Sequence, residues 1–137
     1  MESFPTELGI LTCLMVLAAS LWIPYIVGVN KYDVPGSEPF VRPTPLDQFP
    51  PWVHRAHRAH LNLLEQALPF SVLVLLLDRL DGFTALTFWT CITFFWIRVA
   101  HAAGMIMGWA AMPLRPLLFL VGWVCCLLLA YAVFAAS

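Results

Sequence analysis

Hydrophobic positions fall into four long stretches, at about residues 8–29, 53–77, 83–107 and 114–135. Each exceeds the ~20 residues that a helix needs to cross a ~30 Å hydrocarbon core. Lipid cannot satisfy backbone polar groups and a helix satisfies its own, so the pattern predicts an all-α membrane protein, a four-transmembrane-helix bundle. The second stretch is interrupted in a regular way. Arg55, Arg58, Asn62 and Glu65 recur at intervals of 3, 4 and 3 residues, within roughly 80° of one another on a helix turning about 100° per residue. Ionisable groups cost roughly 2.5–3.5 kcal/mol each at membrane depth and rarely face lipid. The stripe is expected to face protein or water.

Composition agrees with the pattern. The 137 residues are 61% hydrophobic and 11% charged, with a mean hydropathy of +0.84, which excludes a soluble domain of this size. Residues 1–137 are expected to form a single domain in the lipid bilayer, with no nucleic acid among its partners. The first stretch follows Glu2 and Glu7 rather than a basic segment, and apolar sequence continues past Ala18, Ala19 and Ser20 to Trp22 and Ile26. It is expected to be a retained span and not a cleaved signal. Cys13, Cys91, Cys125 and Cys126 lie inside apolar spans without CxxC spacing and read as small hydrophobes.

Orientation follows from the basic residues near span ends. Lys31, Arg42, Arg55, Arg58 and Arg115 fall on one side, and Arg79 alone on the other. The positive-inside rule then puts the 31–51 loop in the cytoplasm and both termini outside. That loop holds six of the eleven prolines, which favours extended backbone and a lid or cap rather than a second domain. At ~1.5 Å per residue, Arg58 lies ~10 Å and Glu65 ~20 Å along the second span, with His101 ~10 Å and Arg98 ~15 Å from the same membrane face. Arg115 begins the fourth span. Groups from three spans thus converge, which predicts a polar cavity opening to the cytosol.

Structural alternatives exist for each group. Arg55 and Arg58 are close enough to a boundary to snorkel to headgroups. Glu65 could pair with Arg98 or Arg58 to hold helices together, and Asn62 could serve only as an interhelical donor. His54, His57 and His60 lack the i, i+4 spacing of a helical metal pair, so no metal site is expected. Pro69 removes the N–H that would meet the Glu65 carbonyl, which predicts a bend or a water site there. Ala100, Gly104 and Gly108 offer a close-contact face on the third span. A transporter or proton path is disfavoured, because no second intramembrane carboxylate continues a relay from Glu65.

The segment Arg58-Ala-His-Leu-Asn62-Leu-Leu-Glu65, followed by Leu68-Pro69-Phe70, resembles the second-helix signature of the membrane-associated proteins in eicosanoid and glutathione metabolism, the MAPEG superfamily. Arg98-Val-Ala-His101 and Pro113-Leu-Arg115 are similar to segments of its microsomal prostaglandin E synthase branch. The resemblance covers about residues 50–130. It implies a homotrimer of four-helix bundles, with glutathione as the cofactor between subunits and a lipophilic small molecule as substrate. By position, Arg58, Asn62, Glu65, Arg98 and His101 would help hold glutathione, and Arg115 would stabilise its thiolate as the catalytic residue. Glutathione's carboxylates, amine and thiol call respectively for Arg or Lys, a carboxylate, and a cation near sulfur.

Three positions depart from the pattern. Met105 stands where many members carry a tyrosine, Leu61 replaces an arginine of the prostaglandin synthase branch, and Pro116 replaces a serine. Lys31 is a candidate replacement for a loop arginine. The expected function is a membrane glutathione-dependent transferase or peroxidase. Its rival is a non-catalytic MAPEG-like protein whose polar stripe is structural. The short tails point to a bacterial inner membrane, with the endoplasmic reticulum as the alternative.

Overall fold

The computed structural model describes residues 4–38 and 43–137. Arg42, counted above for orientation, and Glu2 lie outside the described residues. Five helices make four spans: α1 (Thr6–Ser20), α2 (Ile23–Lys31), α3 (Pro51–Arg79), α4 (Ala85–Met107) and α5 (Leu114–Ala136). The chain is an integral, multi-pass membrane protein. Its spans are Thr6–Lys31, Pro51–Arg79, Ala85–Met107 and Leu114–Ala136.

The first span is one apolar run in sequence but two helices in space. Pro24 has no N–H for the Ser20 carbonyl, so the α-helical ladder cannot continue through the turn at residues 21–22. Trp22 Nε1 instead donates to the Ala19 carbonyl at 2.7 Å, and α2 starts with proline in its first turn. Pro69 has no comparable effect, because α3 runs through it without interruption. Thr6 to Ser20 buries Glu7, Leu11, Leu14 and Ala18, a stripe with helical spacing that packs on α3 and α4.

α3 is the centre of the bundle and contacts all four other helices. Its inward face starts small, with Ala56 and Ala59, and continues through Leu63, Gln66, Ala67, Phe70, Val74 and Leu77. Phe70 stacks on Phe94 of α4 with ring centroids 4.1 Å apart and planes 8° from parallel. α4 opens with a capping box, in which Thr84 and Thr87 satisfy each other's backbone N–H. The Thr87 hydroxyl also lies 2.9 Å from the buried Glu7 carboxylate, which ties α1 to α4.

At its other end α4 stops at Gly108, whose φ of 84° is the left-handed conformation that glycine adopts without a Cβ penalty. Ala110 N–H returns to the Gly104 carbonyl at 2.9 Å. The expected Ala100–Gly104–Gly108 packing face is therefore not one. Gly104 makes room for the chain's own return at Ala110, Gly108 ends the helix, and Ala100 is exposed. The described part of the loop packs as a satellite on α2 and α3. Val34 and Phe49 are buried with Val53, the Tyr25 hydroxyl bonds Thr44 Oγ1 at 3.2 Å, and the Tyr25 ring lies 4.7 Å from that of His57.

Candidate functional site

A recess of about 530 Å³ opens beside the loop end of the bundle, where α3, α4 and α5 meet. Asn62 and Glu65 of α3, His101 of α4, and Arg115, Pro116 and Phe119 of α5 line it, with Met112 from the connection. Four of the six residues picked from sequence thus share one wall system. They do so because Asn62 and Glu65 lie one turn apart on α3, while the tight turn after Gly108 swings the start of α5 back towards His101.

Arg58 and Arg98 are placed differently. Arg58 is exposed, one turn from Asn62 and outside the lining. Its backbone carbonyl accepts a hydrogen bond from Asn62 Nδ2 at 2.9 Å, so Asn62 bonds within its own helix and not across to another. Arg98 is fully buried behind the recess. Its Nη1 donates to Gln66 Oε1 at 3.1 Å, so the hydrogen bond open to Glu65 in sequence goes to Glu65's neighbour. A step of one residue turns a helix by about 100°, which leaves Glu65 in the open recess and aims Gln66 inward.

Arg55 neither snorkels nor joins the recess. Its Nε donates to the Met105 carbonyl at 2.9 Å and its Nη2 to the Ile106 carbonyl at 3.3 Å. Those are end-of-helix carbonyls, of which Met105's also accepts from the Gly108 N–H at 3.2 Å, and a cation there complements the helix dipole. Gln66 was not among the residues singled out from sequence. The signal was present: eleven residues after Arg55 is a rotation of about 20°, so an amide in an apolar run stood just past the Arg55 edge of the stripe, about 100° from Glu65.

His101 is the polar anomaly. It is fully buried, neither ring nitrogen has a hydrogen-bond partner, and it contributes to the recess lining. Buried polar atoms are nearly always bonded, so these nitrogens mark a place where a polar group belongs. The recess offers an anion at Glu65, a cation at Arg115, and amide and imidazole groups between them. That set matches a zwitterionic peptide better than a simple lipid. Among the described residues no serine, threonine or tyrosine hydroxyl lines it, and Met105 is buried in the core. Among the described residues no group of three or more His, Cys, Asp or Glu side chains is placed to hold a metal ion.

A model of the MAPEG family matches residues 9–135. No curated protein and no solved structure matches the chain.

Proposed function

Because the chain belongs to the MAPEG family, we propose that it is a membrane-embedded, glutathione-dependent transferase or peroxidase for lipophilic electrophiles. The observation that carries this is Glu65 and Arg115 facing one recess with the buried, unpartnered His101 between them. Glutathione supplies a thiol, two carboxylates and an ammonium group. Glu65 takes the ammonium group, Arg58 at the rim and Arg98 behind the wall face carboxylates, and Asn62 and His101 bond the peptide. Arg115 stands at the sulfur, where each unit of thiol pKa it removes corresponds to ~1.4 kcal/mol in favour of the nucleophilic thiolate. Among the described residues of one chain no hydroxyl shares the lining, so within the chain that task falls to Arg115. Exposed apolar side chains on α5, Leu117 and Leu120 among them, let a lipid-soluble substrate approach from the bilayer.

This reading includes a homotrimer with the recess completed by a neighbouring subunit. The loop end faces the cytosol and the termini face out, by the positive-inside bias. The host membrane is the bacterial inner membrane or the endoplasmic reticulum. The rival, a non-catalytic protein with a structural polar stripe, draws on the missing tyrosine at Met105 and on Pro116 at the recess wall.

Calorimetry on the protein in lipid separates the two. Glutathione binds, and Glu65→Gln and Arg115→Ala each weaken it or slow conjugation of a generic electrophile by about 1.5–3 kcal/mol, the worth of a hydrogen bond to a charged group. Absence of binding in both detergent and lipid favours the rival. Loss of the oligomer in Glu65→Gln assigns that residue a structural role.

A further inference from the structure

Behind the recess, one buried amide joins three helices. Gln66 of α3 accepts from Arg98 Nη1 of α4 at Oε1 (3.1 Å) and donates from Nε2 to the Phe119 carbonyl of α5 (2.9 Å). The two bonds fix the amide's orientation, because the flipped form would set an NH2 group against a guanidinium. Gly122 leaves the space: a Cβ there would run into Gln66 Oε1. Arg98 retains two buried donors, Nε and Nη2, with no partner. They share one edge of the guanidinium, the side-on fork that meets both oxygens of a carboxylate. One turn along the same helix stands His101, also unpartnered and part of the recess wall.

A glutamate at position 66 would neutralise Arg98 inside the protein. Glutamine holds the guanidinium in place without consuming its charge; Glu65 lies within electrostatic reach of Arg98, and the open fork leaves room for a second carboxylate. We propose that Gln66 is a positioning residue, which pins Arg98, buried outside the recess lining, so that its Nε/Nη2 edge serves as a carboxylate receptor reached past His101. Glu65, the carboxylate of the recess lining, stays at the mouth for a cationic group. The ligand's identity rests on the glutathione reading; the receptor's chemistry rests on Gln66, Arg98 and Gly122.

Two probes on the intact protein in nanodiscs test it. The first is the thermal shift produced by acetate against chloride at matched ionic strength. The second is calorimetric affinity for glutathione and for its diethyl ester, in which both carboxylates are masked. Wild type is stabilised by acetate and prefers glutathione to the ester. In Gln66→Glu, which keeps a partner on Arg98, and in Gln66→Leu, the acetate shift disappears and the preference for glutathione falls about tenfold, the equivalent of ~1.4 kcal/mol. A merely structural Gln66 weakens both ligands by one factor and leaves the preference intact, which overturns the proposal. So does the absence of any acetate response in wild type. If acetate stabilises in a Gln66-dependent way while neither glutathione nor ester binds, the positioning role stands and the glutathione reading fails.

Discussion

Gly122 and Gln66 illustrate how much one Cβ decides here. A methyl group at position 122 would occupy the space of Gln66 Oε1, so Gly122→Ala must displace the amide and with it the bonds to Arg98 and Phe119. Overpacking of this kind costs about 1–3 kcal/mol. We expect Gly122→Ala to lower the midpoint of denaturant unfolding in detergent accordingly, and the double variant with Gln66→Ala to lose less than the sum of the two single changes. Additive losses would mean that the two positions are not coupled. At this scale the sequence was only half legible. Of the 3, 4, 3 stripe, Asn62 and Glu65 line the recess while Arg55 and Arg58 do not; helical periodicity groups residues on a face without tertiary information. It could not name acceptors. Arg55 uses backbone carbonyls of another helix, which no side-chain pattern encodes, and Arg98 bonds Gln66 rather than Glu65 because a one-residue step changes face.

Helix ends carry the next level of order. α4 has a capping box at its start, but among the described residues no basic side chain of its own lies in its last turn. Arg55 of α3 fills that role from outside, while Gly108 supplies the left-handed turn and the Ala110 N–H satisfies the Gly104 carbonyl. This corner sets the connection that carries Met112 into the recess and puts Arg115 in the first turn of α5. Arg55→Met keeps the apolar stem and removes the fork, so amide exchange across residues 106–112 should rise by roughly 10–150-fold, equivalent to about 1.5–3 kcal/mol for a lost charge-assisted bond. Exchange in residues 60–75 of α3 should not change. Uniform acceleration along the chain would show that Arg55 supports global stability and not this corner. The four spans were legible because sustained hydropathy over ~20 residues has one structural solution in lipid. The division of the first span into α1 and α2 was not, since Pro24 sits in an unbroken apolar run and proline also occurs within continuous helices, as Pro69 does in α3.

The whole molecule poses a burial problem that one copy of the chain does not solve. Glu65 lies ~20 Å along α3, well inside a span, yet it is exposed, and the recess it shares with Arg115 opens on the side of the bundle. An ionised group left against acyl chains at that depth costs several kcal/mol. Large apolar side chains are exposed near the opening, Leu61 one turn before Glu65 on α3 and Leu117 and Leu120 on α5, and a second exposed apolar face of α3 carries Leu64 and Leu68 in a groove with Met15 and Ala18. A covering surface must therefore be apolar at its margins and tolerate water and charge at its centre, which a second copy placed recess-to-helix would provide and lipid does not. Such a head-to-tail contact closes into a ring when its rotation allows, and the homotrimer proposed above is a ring of three. Native mass spectrometry should release trimers, with glutathione retained by trimers and lost from dissociated chains. Replacing Leu64 and Leu68 by tryptophan, which leaves the buried face of α3 untouched, should shift the population to monomers and abolish glutathione binding together. Monomers that still bind glutathione at wild-type affinity would show that one chain closes the recess by itself.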